Sequence, residues 1–456
     1  MSTNTMDRSA LAADWQRGFA WAEKTVGGRL VRWQAQPRWR PAWFLDFERD
    51  GETLPLYWRG ARREWGTDTS ALALEMRVME IFEKHGVRVP HPYGLCDDPP
   101  GLLMEASPGI PPDRRKAASE QAWQAVMDDY LEQLARVHAI DPAEFEAAGF
   151  RRPKGPEQSC LGETPHFERG YREAKKAPDP LLEFMLGWVH RNVPRDRERT
   201  SFVVCDSGQF LWEESRVTAL HDFELAYIGD PAADLAGLRT RDLSEPLGDV
   251  ARHMRKYAEL SGQTLDFRAI DYHTIRFALT TPLTLASLCV DPIPEANYIQ
   301  YLVWYVVYAR TPLEVLAHRE GSELEPPPLP SPTPSRRAAA TGHLQSLLDP
   351  EQASGDAERA YELDRAWRVA QYLERVDAYG GALASDDRDD AAAILGRRPS
   401  TWAEADAELE ALVLEAGPER DAELTRYFHR RLLREEALLA PSLRELEGAH
   451  MPPVDG

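Results

Sequence analysis

Cysteine is scarce: the 456 residues hold four, Cys96, Cys160, Cys205 and Cys289, far apart and without a CxxC pair. That spacing suggests neither a zinc site nor a disulfide framework and leads us to expect a reducing, cytoplasmic setting. Long apolar runs are absent too. Phe277 to Val290, among the longest, is broken by Pro282 and polar residues and is too short and mixed to span a bilayer. Met1 to Trp21 carries charges throughout and lacks an apolar signal core. Positive charge is in deficit, with 54 Lys and Arg against 75 Asp and Glu and a net charge of −21. Such a balance repels a phosphate backbone and an anionic membrane surface. No nucleic-acid partner and no membrane partner are therefore expected, although a local arginine cluster can still hold an anionic ligand.

What is present is a globular composition, 43% hydrophobic and 9% aromatic, on a chain long enough for two or three domains. Residues 8–24 read as a short amphipathic helix. Arg29 to Gln36, Ala42 to Glu48 and Pro55 to Arg59 are short runs rich in Val, Trp, Phe and Tyr, and Asp50-Gly51 is a turn signal between two of them. Ala71 to Lys84 has helical spacing, with Leu74, Val78, Ile81 and Phe82 as its apolar stripe and Gly86 as a stop. Helical periods dominate afterwards, save for a return to strand pattern at Phe202–Cys205, Phe210–Trp212 and Val217–His221. Pro326, Pro327, Pro328, Pro330, Pro332 and Pro334 crowd one segment and favour a stiff extended linker. The expected organisation is a β-rich lobe at 1–106, a helical lobe at 107–320, a linker at 321–336 and a helical extension at 337–456. The extension would serve a homodimer contact or a protein partner.

The richest stretch runs from Val203 to Ala236. It reads as strand, acidic loop, hairpin, second acidic loop, helix, with Asp206 and Asp222 sixteen positions apart at neighbouring loop ends. Phosphoryl transfer needs two such carboxylates, one to orient a hydroxyl and accept its proton, the other to hold Mg²⁺ on nucleotide phosphates.

Leu220-His-Asp-Phe-Glu224 and Gly229-Asp-Pro-Ala-Ala-Asp-Leu-Ala236 resemble the metal-binding element of the aminoglycoside phosphotransferase and choline kinase-like family. The resemblance implies a protein-kinase-like α+β fold, with a small antiparallel β lobe, a larger helical lobe and here a helical C-terminal extension. It implies ATP and Mg²⁺ as cofactors and a small-molecule hydroxyl as acceptor. It puts Asp206 in the place of the catalytic carboxylate, Asp222 in that of the metal ligand, and gives Asp234 a structural role, capping a helix or pairing with Arg. Leu56-Tyr-Trp-Arg59 is similar to the strand carrying the nucleotide-binding cation, with Glu75 as its acidic partner. Gly101 to Gly109 resembles the hinge, where Met104 and Glu105 would meet the adenine edge.

The catalytic loop departs from the family pattern. Val204-Cys205 stands where the family has His-Gly, the loop is two residues shorter, and the metal-binding Asn is missing. Gln209 is either a neutral oxygen donor in its stead or a turn residue. Pro37-Arg-Trp-Arg-Pro41 has no glycine to cradle phosphates, which leaves Arg38 and Arg40 as the cations there. His138 and His221 read as core or strand filler, and Trp33, Trp39, Trp43 and Trp58 as sheet packing, with one of them free to line a base pocket. Two readings follow: an ATP-dependent phosphotransferase, or a catalytically impaired pseudokinase-like binding or regulatory module.

Overall fold

The short runs rich in Val, Trp, Phe and Tyr form strands, as their period predicts. The computed structural model describes residues 8, 11–36, 40–61, 69–294, 296–336, 338–353 and 355–455. By its internal contacts the chain divides into two units. One comprises Met1–Pro153, Arg199–Asp234 and Leu247–Leu265; the other comprises Lys154–Glu198, Leu235–Pro246 and Asp266–Gly456.

The first unit opens with helix α1 (Ala13–Val26), strands β1 (Arg29–Ala35), β2 (Ala42–Arg49) and β3 (Glu52–Gly60), helix α2 (Ser70–Lys84), and strands β4 (Pro92–Asp97) and β5 (Pro100–Glu105). The strands make one antiparallel sheet in the order β1-β2-β3-β5-β4. Asp50 and Gly51, at the β2–β3 turn, both adopt the left-handed conformation (φ 55° and 82°), which matches the twist of a two-residue hairpin.

Strand alternation splits the side chains between two faces. Leu45, Phe47, Leu56, Trp58 and Leu103 pack with Trp15 and Phe19 of α1. The indole of Trp58 lies 5.8 Å from Trp15 and 5.7 Å from Trp21, and Trp43 lies 5.1 Å from Trp15. The described tryptophans of this sheet therefore belong to the α1 side, and none lines the face that carries Arg59. Trp39 and Arg38 lie outside the described residues. By register, the opposite face takes Phe44 of β2, Tyr57 and Arg59 of β3, and Leu102 and Met104 of β5.

Helix α2 buries Leu72, Glu75, Val78, Met79 and Phe82. That is a stripe rotated from the expected one, since Leu74 and Ile81 are only half-buried. The rotation matters because it carries Glu75 inward.

Helices α3 (Glu120–Ala139) and α4 (Pro142–Ala147) follow. The chain then enters the second unit as α5 (Pro156–Leu161), α6 (Thr164–Ala174) and α7 (Pro180–Arg191). It returns as β6 (Ser201–Val203), β7 (Phe210–Glu213), β8 (Arg216–Leu220) and β9 (Tyr227–Gly229), ahead of α8 (Ala232–Arg241). β7 pairs with β8, and β6 with β9. Strand β9, three residues long, was not expected. α9 (Val250–Ser261) belongs to the first unit.

The rest of the second unit is helical: α10 (Phe267–Val290), α11 (Tyr298–Glu320), α12 (Ala338–Leu347), α13 (Ala357–Arg375), α14 (Gly381–Leu395), α15 (Trp402–Glu415) and α16 (Asp421–Leu439). Its core runs through α7, α10, α11, α15 and α16; Phe184 of α7 stacks on Phe428 of α16 at 5.5 Å. The C-terminal helices therefore complete this core. Among the described residues no helix is long and apolar enough to cross a membrane.

The sheet tolerates no side chain at Gly101. A Cβ there would lie 2.2 Å from Nε1 and 2.5 Å from Cε2 of Trp58, a buried ring held on both sides. Gly101→Ala is expected to destabilise the first unit by about 1–3 kcal/mol through overpacking, read as a lowered urea midpoint at unchanged slope.

Candidate active site

Arg59 emerges from the end of β3 with only 5% of its surface exposed. A guanidinium cannot shed its charge, so burial obliges it to find carboxylates. Its Nε donates to Glu75 Oε2 at 3.1 Å, and its Nη2 donates to Asp222 Oδ1 and, at 3.4 Å, to Glu224 Oε2. Glu75 sits on the buried stripe of α2, and its other oxygen accepts the Phe223 N–H at 3.2 Å. One carboxylate thus fixes both the arginine and the backbone of the second acidic loop. The Phe223 ring packs edge-on against Phe82 of the same helix at 5.1 Å. Arg40, before β2, joins the group: its Nη2 donates to Glu224 Oε2 at 2.5 Å.

The electrostatics follow from that geometry. Burial opposes the charge of Arg59, but Asp222, Glu75 and Glu224 outweigh it and hold the guanidinium above its ordinary pKa. Burial also raises Asp222, but attraction from Arg59, Arg40 and His221, with the Arg59 hydrogen bond, brings it well below the usual carboxylate range. Glu75 goes the other way, because burial together with repulsion from Asp222 and Glu224 exceeds the pull of Arg59.

The β7–β8 hairpin joins the two acidic loops. Phe210 pairs with Leu220, and the His221 N–H donates to the Gln209 carbonyl at 3.2 Å. Asp206 lies three residues before Gln209 on one arm, and Asp222 follows His221 on the other, so both carboxylates issue from one end of the hairpin. The Gln209 amide donates to Asp206 Oδ2 at 2.6 Å. Both Cys205 and Asp222 adopt φ of 69°, left-handed conformations rare outside glycine.

The first loop hangs on Asp234. Its fully buried carboxylate accepts the N–H groups of Val204 (3.0 Å) and Cys205 (2.7 Å) and the Ser207 hydroxyl (2.8 Å), and lies 2.8 Å from His138 Nε2. His138 Nδ1 is in turn 2.6 Å from the Tyr257 hydroxyl, and the Tyr130 hydroxyl accepts the Gly208 N–H at 2.7 Å. Asp234 therefore holds the loop and pairs with His138 and not with an arginine. The cap at the start of α8 comes from Asp230, whose Oδ1 accepts the Ala232 N–H at 3.0 Å.

Met104 and Glu105 end β5, with Met104 opposite Tyr57 in the register. The Glu105 N–H is committed to the His91 carbonyl (2.8 Å) and the Ala106 N–H to that of Pro55 (3.1 Å). Two neighbours of Arg59 escaped the sequence reading: Phe44, 44% exposed, and Tyr57, with ring centroids 5.1 Å apart. Strand alternation two positions before Arg59 was the signal that could have found Tyr57. Tyr257, 119 residues from His138, offers no local signal.

Asp222 and Glu224 share Arg59 Nη2 and bring two carboxylates together, hard oxygen donors of the kind that suit Mg²⁺, while the Gln209 side chain is turned to Asp206.

Comparison with known proteins bears on the family and the fold. A model of the phosphotransferase enzyme family matches residues 41–273, which include every site residue above except Arg40. Acyl-CoA dehydrogenase family member 10 of Mus musculus is 29% identical over 187 residues, covering 36% of this chain and 16% of that protein. Family member 11 of Gallus gallus is 29% identical over 172 residues, covering 36% of this chain and 22% of that protein. The match thus spans about a fifth or less of these relatives' lengths. A solved structure from Ralstonia eutropha JMP134, assigned to the aminoglycoside phosphotransferases, overlays with a TM-score of 0.52 at 17% identity, over 68% of this chain and 99% of that one. That likeness shows the fold, a protein-kinase-like one with additional C-terminal helices.

Two outcomes are expected. Asp234→Asn places an amide donor among groups that already donate, and should cost about 2–3 kcal/mol in urea denaturation. Asp222 ionises at lower pH in the folded chain than in the unfolded one. Its contribution is complete above the unfolded pKa of about 4 and is lost as pH falls toward the folded value. Asp222→Asn should therefore lose less stability than the unmodified chain between about pH 5 and 3, measured by chemical denaturation at each pH.

Proposed function

Because the chain belongs to the phosphotransferase enzyme family, we propose that it transfers the γ-phosphoryl group of ATP to a hydroxyl of a small molecule. The observation that carries this reading is the hairpin that presents Asp206 and Asp222 at one end, with Arg59 and Glu75 joined to Asp222.

Asp206 receives the substrate hydroxyl. As the new bond forms between the hydroxyl oxygen and the γ-phosphorus, the bond from that phosphorus to the β,γ-bridging oxygen breaks, and the hydroxyl proton passes to the Asp206 carboxylate. Asp234, through the Val204 and Cys205 N–H groups, keeps the loop oriented for that transfer. Arg59 exchanges Asp222 for phosphate oxygens. Mg²⁺, held by Asp222 with Glu224 or Gln209, would neutralise charge on the phosphates. The rings of Phe44 and Tyr57 offer the base a flat apolar surface on the same sheet face as Arg59, with the backbone beyond Met104 and Glu105 as its edge.

The binding-module reading also has an observation in its favour. Gln209 occupies an oxygen of Asp206, and Arg59 occupies Asp222.

The test separates the two readings. With Mg²⁺, ATP should raise the melting temperature of the chain, and Asp222→Ala should abolish the shift. Asp206→Asn should keep the shift and lower turnover on an accepted alcohol about 10²–10⁴-fold. A Mg²⁺-dependent shift without turnover on any of a broad panel of alcohols would favour the binding module. No shift at all would sink the nucleotide site.

A further inference from the structure

We propose that Arg40 is a second phosphate-binding residue, and that Arg40 and Arg59 together clamp the polyphosphate of the nucleotide where a glycine-rich turn would otherwise do so. The proposal rests on the phosphotransferase reading above and names a residue for its nucleotide site.

A turn that covers phosphates needs donors, usually backbone N–H groups left free by glycine. Between β1 and β2 the sequence has no glycine and two prolines. The Gln36 N–H is spent on the Ala42 carbonyl at 2.9 Å, and Pro37 and Pro41 have none to give. The turn instead contributes a guanidinium. Arg40 is 2% exposed, and its Nη2 meets the same Glu224 oxygen that Arg59 Nη2 approaches at 3.4 Å. Two cations of like sign converge on one carboxylate, next to Asp222.

The convergence is built into the backbone. The Gly60 N–H donates to the Pro41 carbonyl at 2.8 Å, which draws the end of β3 against the residue after Arg40. A Cβ on Gly60 would lie 2.7 Å from that carbonyl oxygen and 3.0 Å from the Pro41 Cβ, so glycine is what permits the approach. On the other arm of the turn, the Tyr57 hydroxyl donates to the Gln36 amide oxygen at 2.8 Å. β3 thus holds the turn at both ends, and the residues that flank Arg59 do the holding.

Guanidinium groups bind phosphate as readily as carboxylate and often bidentately. Glu224 is the more exposed partner, with 19% of its side chain accessible against 1% for Arg40. Phosphate oxygens arriving from that side replace Glu224 as acceptor for both arginines, and the carboxylate is released toward a cation.

The experiment titrates the full chain with Mg-ATP, with inorganic tripolyphosphate plus Mg²⁺, and with adenosine, by calorimetry. Arg40→Gln should weaken Mg-ATP and tripolyphosphate about tenfold or more, the worth of a charge-assisted hydrogen bond, and leave adenosine unchanged. Arg40→Gln removes the partner of Glu224 and risks misfolding, so the deciding comparison is Arg40→Gln with Glu224→Gln against Glu224→Gln alone. A further tenfold loss for Mg-ATP in the double variant supports the clamp. Equal affinity for the two overturns it and leaves Arg40 as a counterion to Glu224. If the unmodified chain binds Mg-ATP and Arg40→Gln binds it equally, the clamp fails and the phosphotransferase reading stands. If the unmodified chain binds neither Mg-ATP nor tripolyphosphate, both fail.

Discussion

A buried guanidinium is the constraint from which the candidate site follows. Arg59 cannot deprotonate and cannot reach water, so three carboxylates must come to it from three places in the chain. Glu75 comes from the inner stripe of α2, and Asp222 and Glu224 from the loop after β8. Any arrangement of the first unit that separated these elements would leave an unpaired charge in a low-dielectric interior, a cost of several kcal/mol. Among the described residues of this set, two arginines, Arg40 and Arg59, face three carboxylates.

Asp234 exerts a second, quieter control. The loop bearing Asp206 has little secondary structure of its own, since β6 ends at Val203 and β7 begins at Phe210. Its conformation is set by what accepts its N–H groups. One carboxylate takes two of them and a hydroxyl, while the Tyr130 hydroxyl takes a third. His138 and Tyr257 extend this support into α3 and α9. The loop that carries Asp206 is thus held by residues from α3, α8 and α9.

Much of this was legible in the residues. The strand runs, the Asp50-Gly51 turn and the hairpin between the acidic loops stand in the sequence because period and turn chemistry are local. The pairing of Arg59 with Glu75 was legible through resemblance, and the structure adds a physical reason for it. What failed was long-range or rotational. The stripe on α2 was placed on Leu74 and Ile81, but 72, 75, 79 and 82 fit a helical period equally well, and only burial distinguishes the two. The tryptophans were open to a base-pocket role because composition does not say which face a strand turns to α1. Strand β9 has three residues, too few for any pattern, and exists because β6 supplies its partner.

The replacement of His-Gly by Val204-Cys205 looks at first like damage to the catalytic loop. Position 205 is where the family pattern has glycine, and Cys205 still adopts a φ of 69°. A side chain there costs about 1–2 kcal/mol relative to glycine, so the surroundings must impose the conformation. They do so through the backbone: the Cys205 N–H is held by Asp234 Oδ1 at 2.7 Å and the Asp206 N–H by the Val204 carbonyl at 2.9 Å. None of these contacts uses the side chain of 204 or 205. The left-handed conformation at 205 is therefore held without a glycine, by backbone hydrogen bonds on either side of it, and strain of this kind persists only where the surroundings over-determine it.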